Sequence, residues 1–254
     1  MINSLSTVSQ ALQRAASSSF VLIADYTRDI IYPAAATPII VEVPASVDSL
    51  SVDAIPYLRQ ALKIHNKEGG RPRISVLLLN NPHNPLARAY PTQTLLEYAK
   101  LAEEVLFLRC VLNLAHPTKP YQQFDLHLVA DEVFANQVFS SAYCSEPTPF
   151  TSILSLDLSG ICDPSRVYVL AGPTKDFGAS GVKVGAFISQ KNPGVLKLVK
   201  ASLDATPISS ASDTLFTAIL DDEPFCDEFL KDNRLRLALA FELIASWCSF
   251  HKLP

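Results

Sequence analysis

The chain has 254 residues, room for one large domain or a large domain with part of a second, at roughly 100–200 residues per domain. Hydrophobic residues make up 48% and charged residues 18%, with 21 Lys+Arg against 25 Asp+Glu for a net charge of −4. That excludes disorder, collagen and coiled coil, and leaves no basic footprint for nucleic acid or anionic lipid, so the expected partner is a small molecule.

Residues 1–10 carry neither a signal-peptide nor a transit-peptide pattern, so the cytoplasm is the expected compartment. A helix is expected over 5–16 and strands over 20–24 and 39–43. A helix over 53–65 follows, with Gly69 and Gly70 as its stop. The strand expected over 74–79 is the longest apolar run and is cut off by Asn80 and Asn81, far short of the ~20 residues a bilayer span needs. Next come a helix over 92–108, strands over 126–130, 167–170 and 185–189, and a helix over 195–203. After Asp204 the character changes, and a helical pattern runs from Glu228 to Phe250. Strands that are continuously apolar and alternate with helices predict an α/β fold with a mostly parallel sheet sandwiched by helices. The five cysteines are odd in number and contain no C-x-x-C, so they read as reduced thiols.

Three polar segments stand at the ends of expected strands, where open α/β sheets bind their ligands. They are N-N-P-H-N-P-L over 80–86, D-E-V-F over 131–134 and G-P-T-K-D-F-G over 172–178. Singly, each also reads as a turn, a helix cap or surface.

Together and in this order they resemble the class I/II aminotransferases, fold type I pyridoxal-phosphate enzymes. The likeness is greatest to the branch of 1-aminocyclopropane-1-carboxylate synthase and related fungal proteins. It runs from about Ser6 to the C-terminus. Its strongest stretch, V-Y-V-L-A-G-P-T-K-D-F-G-A-S-G-V-K-V-G over 167–185, is similar to the family's strand followed by S-K-D-F-G-x-x-G-x-R-x-G. The resemblance implies pyridoxal 5′-phosphate as cofactor, an amino-acid substrate and a homodimer. It implies Lys175 as the Schiff-base lysine and proton shuttle, Asp131 as the carboxylate that keeps the pyridine nitrogen protonated, and Asn84 as the donor to O3′. Thr174, Lys183 and a helix N-terminus are the implied phosphate ligands.

The sequence departs from that pattern in several places. Phe134 stands where the family has a tyrosine that donates to O3′, and Lys183 stands for an arginine, keeping the charge without the bidentate grip. Ala87 replaces a glycine, which matters where φ is positive. The implied division is a cofactor-binding large domain over 1–205 and the truncated start of a C-terminal small domain over 206–254. The N-terminal arm and most of the small domain, with its substrate-binding arginine, are expected to be missing, and Ser6 and Thr7 are a weak remnant of the phosphate-binding turn. Asn84 and Asp131 stand further apart than the family pattern allows, with the excess over 105–120. That segment is expected to be an insertion that lengthens the helix from Thr92, or translated intron sequence. The five histidines show no metal-ligand spacing, so no metal is expected, and there is no G-x-S-x-G, P-loop or G-x-G-x-x-G. The implied function is transamination of an amino acid through Lys175, in specialised metabolite biosynthesis. The alternatives are elimination or C–S cleavage by the same cofactor, or a truncated, degenerate relative without catalysis.

Overall fold

The apolar run ahead of Asn80 is an inner strand of a six-stranded sheet in the computed structural model, which describes residues 21–25, 37–66, 73–107, 121–123, 125–204 and 207–253. The strands are β1 (Val21–Asp25), β2 (Thr37–Ile40), β3 (Arg73–Asn80), β6 (His127–Asp131), β7 (Val167–Ala171) and β8 (Ala186–Ile188), in the order β2-β1-β3-β6-β7-β8. A separate two-stranded ribbon pairs β4 (Val105–Phe107) with β5 (Tyr121–Gln123).

The fold is α/β as expected, but the sheet is mixed rather than mostly parallel. Its centre, β3-β6-β7, is parallel, while β1 runs antiparallel to β2 and β3, and β8 antiparallel to β7. A parallel crossover needs a dozen or more residues, usually a helix. The link between β1 and β2 is shorter, and the stretch between β7 and β8 is a turn, so both pairs reverse. The second strand also begins earlier than expected, at Thr37, and Val41 and Val43 lie beyond its end.

Two helices cover one face of this centre. Helix α1 (Ile55–His65) carries Ile55, Leu58 and Leu62 on one buried stripe, and α2 (Thr92–Glu103) buries Leu95, Tyr98, Ala99, Leu101 and Ala102. These meet Leu77, Leu79, Leu128, Ala130, Val167 and Val169 in one core, the one-sided stripe that a helix lying on a sheet requires. At roughly 25 cal/mol per Å² of apolar area, each fully buried leucine contributes about 2 kcal/mol.

Helix α2 ends at Glu103, five residues short of expectation. Glu104 is extended, with φ −54° and ψ 126°, and the chain leaves as the ribbon, so the segment does not lengthen the helix. Its two ends lie side by side, since the Leu126 N–H donates to the Ala102 carbonyl at 3.0 Å. Beyond β8 come α3 (Pro193–Asp204), α4 (Ser210–Leu220) and the 28-residue α5 (Glu223–Phe250). The expected helix over 5–16 and the residues Ser6, Thr7 and Cys110 lie outside the described residues. The other four cysteines are free thiols. No helix among the described residues is long and apolar enough to cross a membrane.

Candidate functional site

The three parallel strands end in register. Asn80 lies opposite Asp131, and Asp131 opposite Leu170, so the three polar segments leave the sheet from one edge, the carboxyl edge at which open α/β sheets bind ligands.

The first segment is anchored by Asn81, which is fully buried. Its side-chain amide donates to the Thr151 carbonyl at 3.0 Å, and its oxygen accepts from the Tyr90 N–H at 3.0 Å. The neighbouring Asn80 oxygen accepts from the Asn84 N–H at 2.6 Å, which folds Asn84 back over the strand end with its side chain exposed. Ala87 closes the turn with φ 52°, the left-handed conformation that suits the glycine it replaces.

The second segment opens with Asp131, half-buried, whose Oδ1 accepts from the Val133 N–H at 3.3 Å. Burial pushes this carboxyl above its ordinary value, and the Val133 amide, the Asn80 side chain and the positive charge of Lys175 pull it back. Beside it Glu132 is buried, and its Oε1 accepts from the Ile153 N–H at 2.9 Å. Burial pushes this carboxyl up as well.

The third segment turns tightly. A Cβ on Gly172 would stand 2.8 Å from the Val184 carbonyl oxygen, so glycine is what lets the returning arm lie against the end of β7. Thr174 Oγ1 donates to the Val182 carbonyl at 3.3 Å, bracing the turn, and Gly178 has φ 61°. Lys175 is exposed, and its Nζ stands 5.5 Å from the centre of the Phe134 ring, within cation–π range. Lys183 is exposed on the arm that re-enters the sheet at Ala186, opposite Ala171.

Asp131, Phe134 and Lys175 are thus joined by direct geometry or charge. Asn84 stands over the end of the adjacent strand, and Thr174 and Lys183 sit on the turn that carries Lys175. Sequence reasoning passed over Asn80, which braces both Asn84 and Asp131, although its place at the end of an apolar run was the signal. It also passed over Asn136, Gln137 and Asp176. Among the described residues no group of three or more His, Cys, Asp or Glu is placed to hold a metal ion.

Several known proteins are similar to this chain. The chain is 31% identical over 219 residues to a probable aminotransferase of Aspergillus oryzae, an alignment covering 86% of this chain and 46% of that protein. It is 33% identical over 179 residues to the trimodular acetylaranotin synthesis protein of Aspergillus terreus, covering 70% of this chain and 18% of the other. To a 1-aminocyclopropane-1-carboxylate synthase of Oryza sativa it is 28% identical over 187 residues, covering 72% of this chain and 30% of the other. The chain therefore spans half or less of the length of these relatives. In structure it resembles the N-succinyldiaminopimelate aminotransferase of Mycobacterium tuberculosis, with a TM-score of 0.54 and 19% identity over 77% of this chain and 40% of the other. The family model for aminotransferase class I and II matches residues 111–246. That match takes in the strand ending at Asp131 and the whole turn that carries Lys175, and by it the chain belongs to the class I and II aminotransferases.

Proposed function

We propose that this chain is the cofactor-binding part of a pyridoxal-phosphate-dependent aminotransferase that acts on an amino acid through Lys175. The observation that carries the reading is the pairing across the sheet edge of a half-buried carboxylate, Asp131, with an exposed primary amine, Lys175, whose charge acts on it. The residues fit the cofactor that the family implies. A carboxylate with only weak local donors suits a ring N–H, and an exposed lysine on a braced turn suits an aldehyde.

When bound, pyridoxal phosphate supplies an electron sink for the bond broken at the substrate Cα. Asp131 would hold the ring nitrogen in its protonated form, because a half-buried negative charge favours the charged pyridinium. Asn84 would donate its side-chain amide to the ring oxygen, without help from Phe134, which has no hydroxyl. Lys175 is the amine that would hold the aldehyde and the base that would serve the proton at the substrate Cα. Lys183 supplies charge to the phosphate as a single point rather than a fork. The Thr174 hydroxyl, which donates to the Val182 carbonyl in this structure, would add a donor to that site.

Transamination in specialised metabolite biosynthesis is supported by the names of the Aspergillus relatives. The likeness to a 1-aminocyclopropane-1-carboxylate synthase favours a second reading, elimination by the same residues. The proposal includes a homodimer in the cytoplasm and a small domain that begins near residue 206. The last is supported by α5, which buries only Ala238.

The test is to mix the chain with pyridoxal phosphate, reduce it with borohydride and map the peptides. A pyridoxyl group on Lys175, lost in Lys175→Ala, supports the reading. Incubation with amino acids and a keto-acid acceptor then separates amino transfer from elimination. No label on Lys175 overturns it and leaves a relative without catalysis.

A further inference from the structure

The segment after β6 does more than end in Asp131. It turns through the 3-10 turn Ala135–Gln137, and its last two side chains reach across to the turn after β7. Asn136 Nδ2 donates to Asp176 Oδ2 at 3.0 Å, and Gln137 Nε2 donates to the Lys175 carbonyl at 2.7 Å. From the other side α5 grips the same residues: Asn233 Nδ2 donates to the Asp176 carbonyl at 3.3 Å, and the Phe229 ring stacks on Phe177 at 5.0 Å. The second carboxylate oxygen of Asp176, Oδ1, is buried and has no hydrogen-bond partner among the described residues.

Such a carboxylate costs stability, because one oxygen has left water without a substitute. What it returns is a charge-assisted hydrogen bond, stronger than a neutral one, to a side chain five positions after Asp131. Resting on the reading of Lys175 and Asp131 as cofactor residues, we propose that Asn136 and Asp176 are a positioning pair. They fix the backbone of Lys175 at a set distance from Asp131, so that only the lysine side chain remains free to move. The two ends of the cofactor, aldehyde and ring nitrogen, need that distance constant. An error of an ångström at such a site costs up to about 100-fold.

The experiment compares the 254-residue chain with Asn136→Asp, which sets carboxylate against carboxylate, and with the swap Asn136→Asp/Asp176→Asn, which restores one donor and one acceptor. Borohydride labelling is titrated with pyridoxal phosphate and read at Lys175 and at the exposed Lys200, an internal reference away from the site. Hydrogen exchange of the amides of residues 177–179 is read without cofactor. Asn136→Asp is expected to raise the pyridoxal phosphate needed at Lys175 at least about tenfold with Lys200 unchanged. It is also expected to speed exchange at 177–179 by a similar factor, and the swap to reverse both. An unchanged Lys175-to-Lys200 ratio in Asn136→Asp overturns the positioning role, even where the melting temperature falls. Unchanged exchange overturns the contact itself. A wild-type chain that labels Lys175 no better than Lys200, but whose exchange responds to the variants, overturns the reading of the site and not the contact.

Discussion

Ala87 has φ 52° at the close of the turn that carries Asn84. An L-residue with a Cβ pays roughly 1–2 kcal/mol in that conformation, whereas glycine pays about 0.5–1 kcal/mol in extra chain entropy wherever it is placed. Ala87→Gly is therefore expected to stabilise the chain by about 0.5–1 kcal/mol, a rise of about 2 °C in melting temperature for a chain of this size. A fall in melting temperature contradicts the argument. Glu132 gives a second expectation at this scale. Burial raises its carboxyl, so the folded state holds the proton more tightly than the unfolded one. Its contribution to stability is complete below the unfolded value near 4.5 and is lost as pH rises through the raised folded value. Glu132→Gln keeps an oxygen for the Ile153 N–H and removes the titration. The melting temperature of the variant relative to wild type should therefore climb between pH 4 and pH 7. A difference that stays level across that range shows that burial of the charge is not the governing cost.

Helix α2 shows at the level of elements how an excursion is accommodated. The Leu126 N–H bonds back to the Ala102 carbonyl, and the residue before it, Asp125, has φ 49°. Leave out 105–123, and Ala102, Glu103, Glu104, Phe124, Asp125 and Leu126 become six consecutive positions. The bond then has the 6→1 separation of a Schellman motif and the left-handed Asp125 takes its fifth position, although Glu104 is extended where that motif has a helical residue. Ala102 and Leu126, both buried, supply the apolar contact that accompanies that motif. The ribbon is thus an excursion from the end of α2, to which the chain returns at Leu126. Deletion of residues 105–123 is expected to leave the fold intact, with a melting temperature equal to or above that of the whole chain and unchanged labelling of Lys175. Loss of cooperative unfolding in the deleted chain would show that the ribbon belongs to the core.

At the scale of the whole molecule, the described residues divide into a well-filled sheet and an open end. The core between the sheet and α2 buries Leu77, Leu79, Leu95, Leu128 and Tyr98 almost completely. Helix α5 leaves Leu235, Leu239, Leu243 and Trp247 more than half exposed, a stripe at four-residue spacing that lies on one helix face. The same helix touches the Lys175 turn through Phe229 and Asn233, and the segment after the 3-10 turn through Glu242, whose carboxylate accepts from the Ala142 N–H at 2.7 Å. One helix therefore spans from the candidate site to the exposed stripe, and a shift of α5 reaches Lys175 through its neighbours Asp176 and Phe177.

Much of this was legible without coordinates. The apolar runs ahead of Asn80 and Asp131 are strands because they are short, unbroken and rich in branched residues. The polar residues that end them stand at the carboxyl edge of the sheet because the two strands run parallel and end in register. The family motif likewise marked Asn84, Asp131 and Lys175 by residue type and order alone. The sequence misled where a local pattern has two readings: Val105, Leu106 and Phe107 continue the apolar spacing of α2, and only their pairing with residues 121–123 makes them a strand. It was silent on what depends on distant partners. The reversal of β1 and β8 and the grip of Asn136 and Asn233 on Asp176 join positions up to 57 residues apart. Periodicity and composition determine which face of an element is buried. Only the closed tertiary structure decides which polar group meets which, because that choice is set by the packing of elements whose order in space the chain does not spell out.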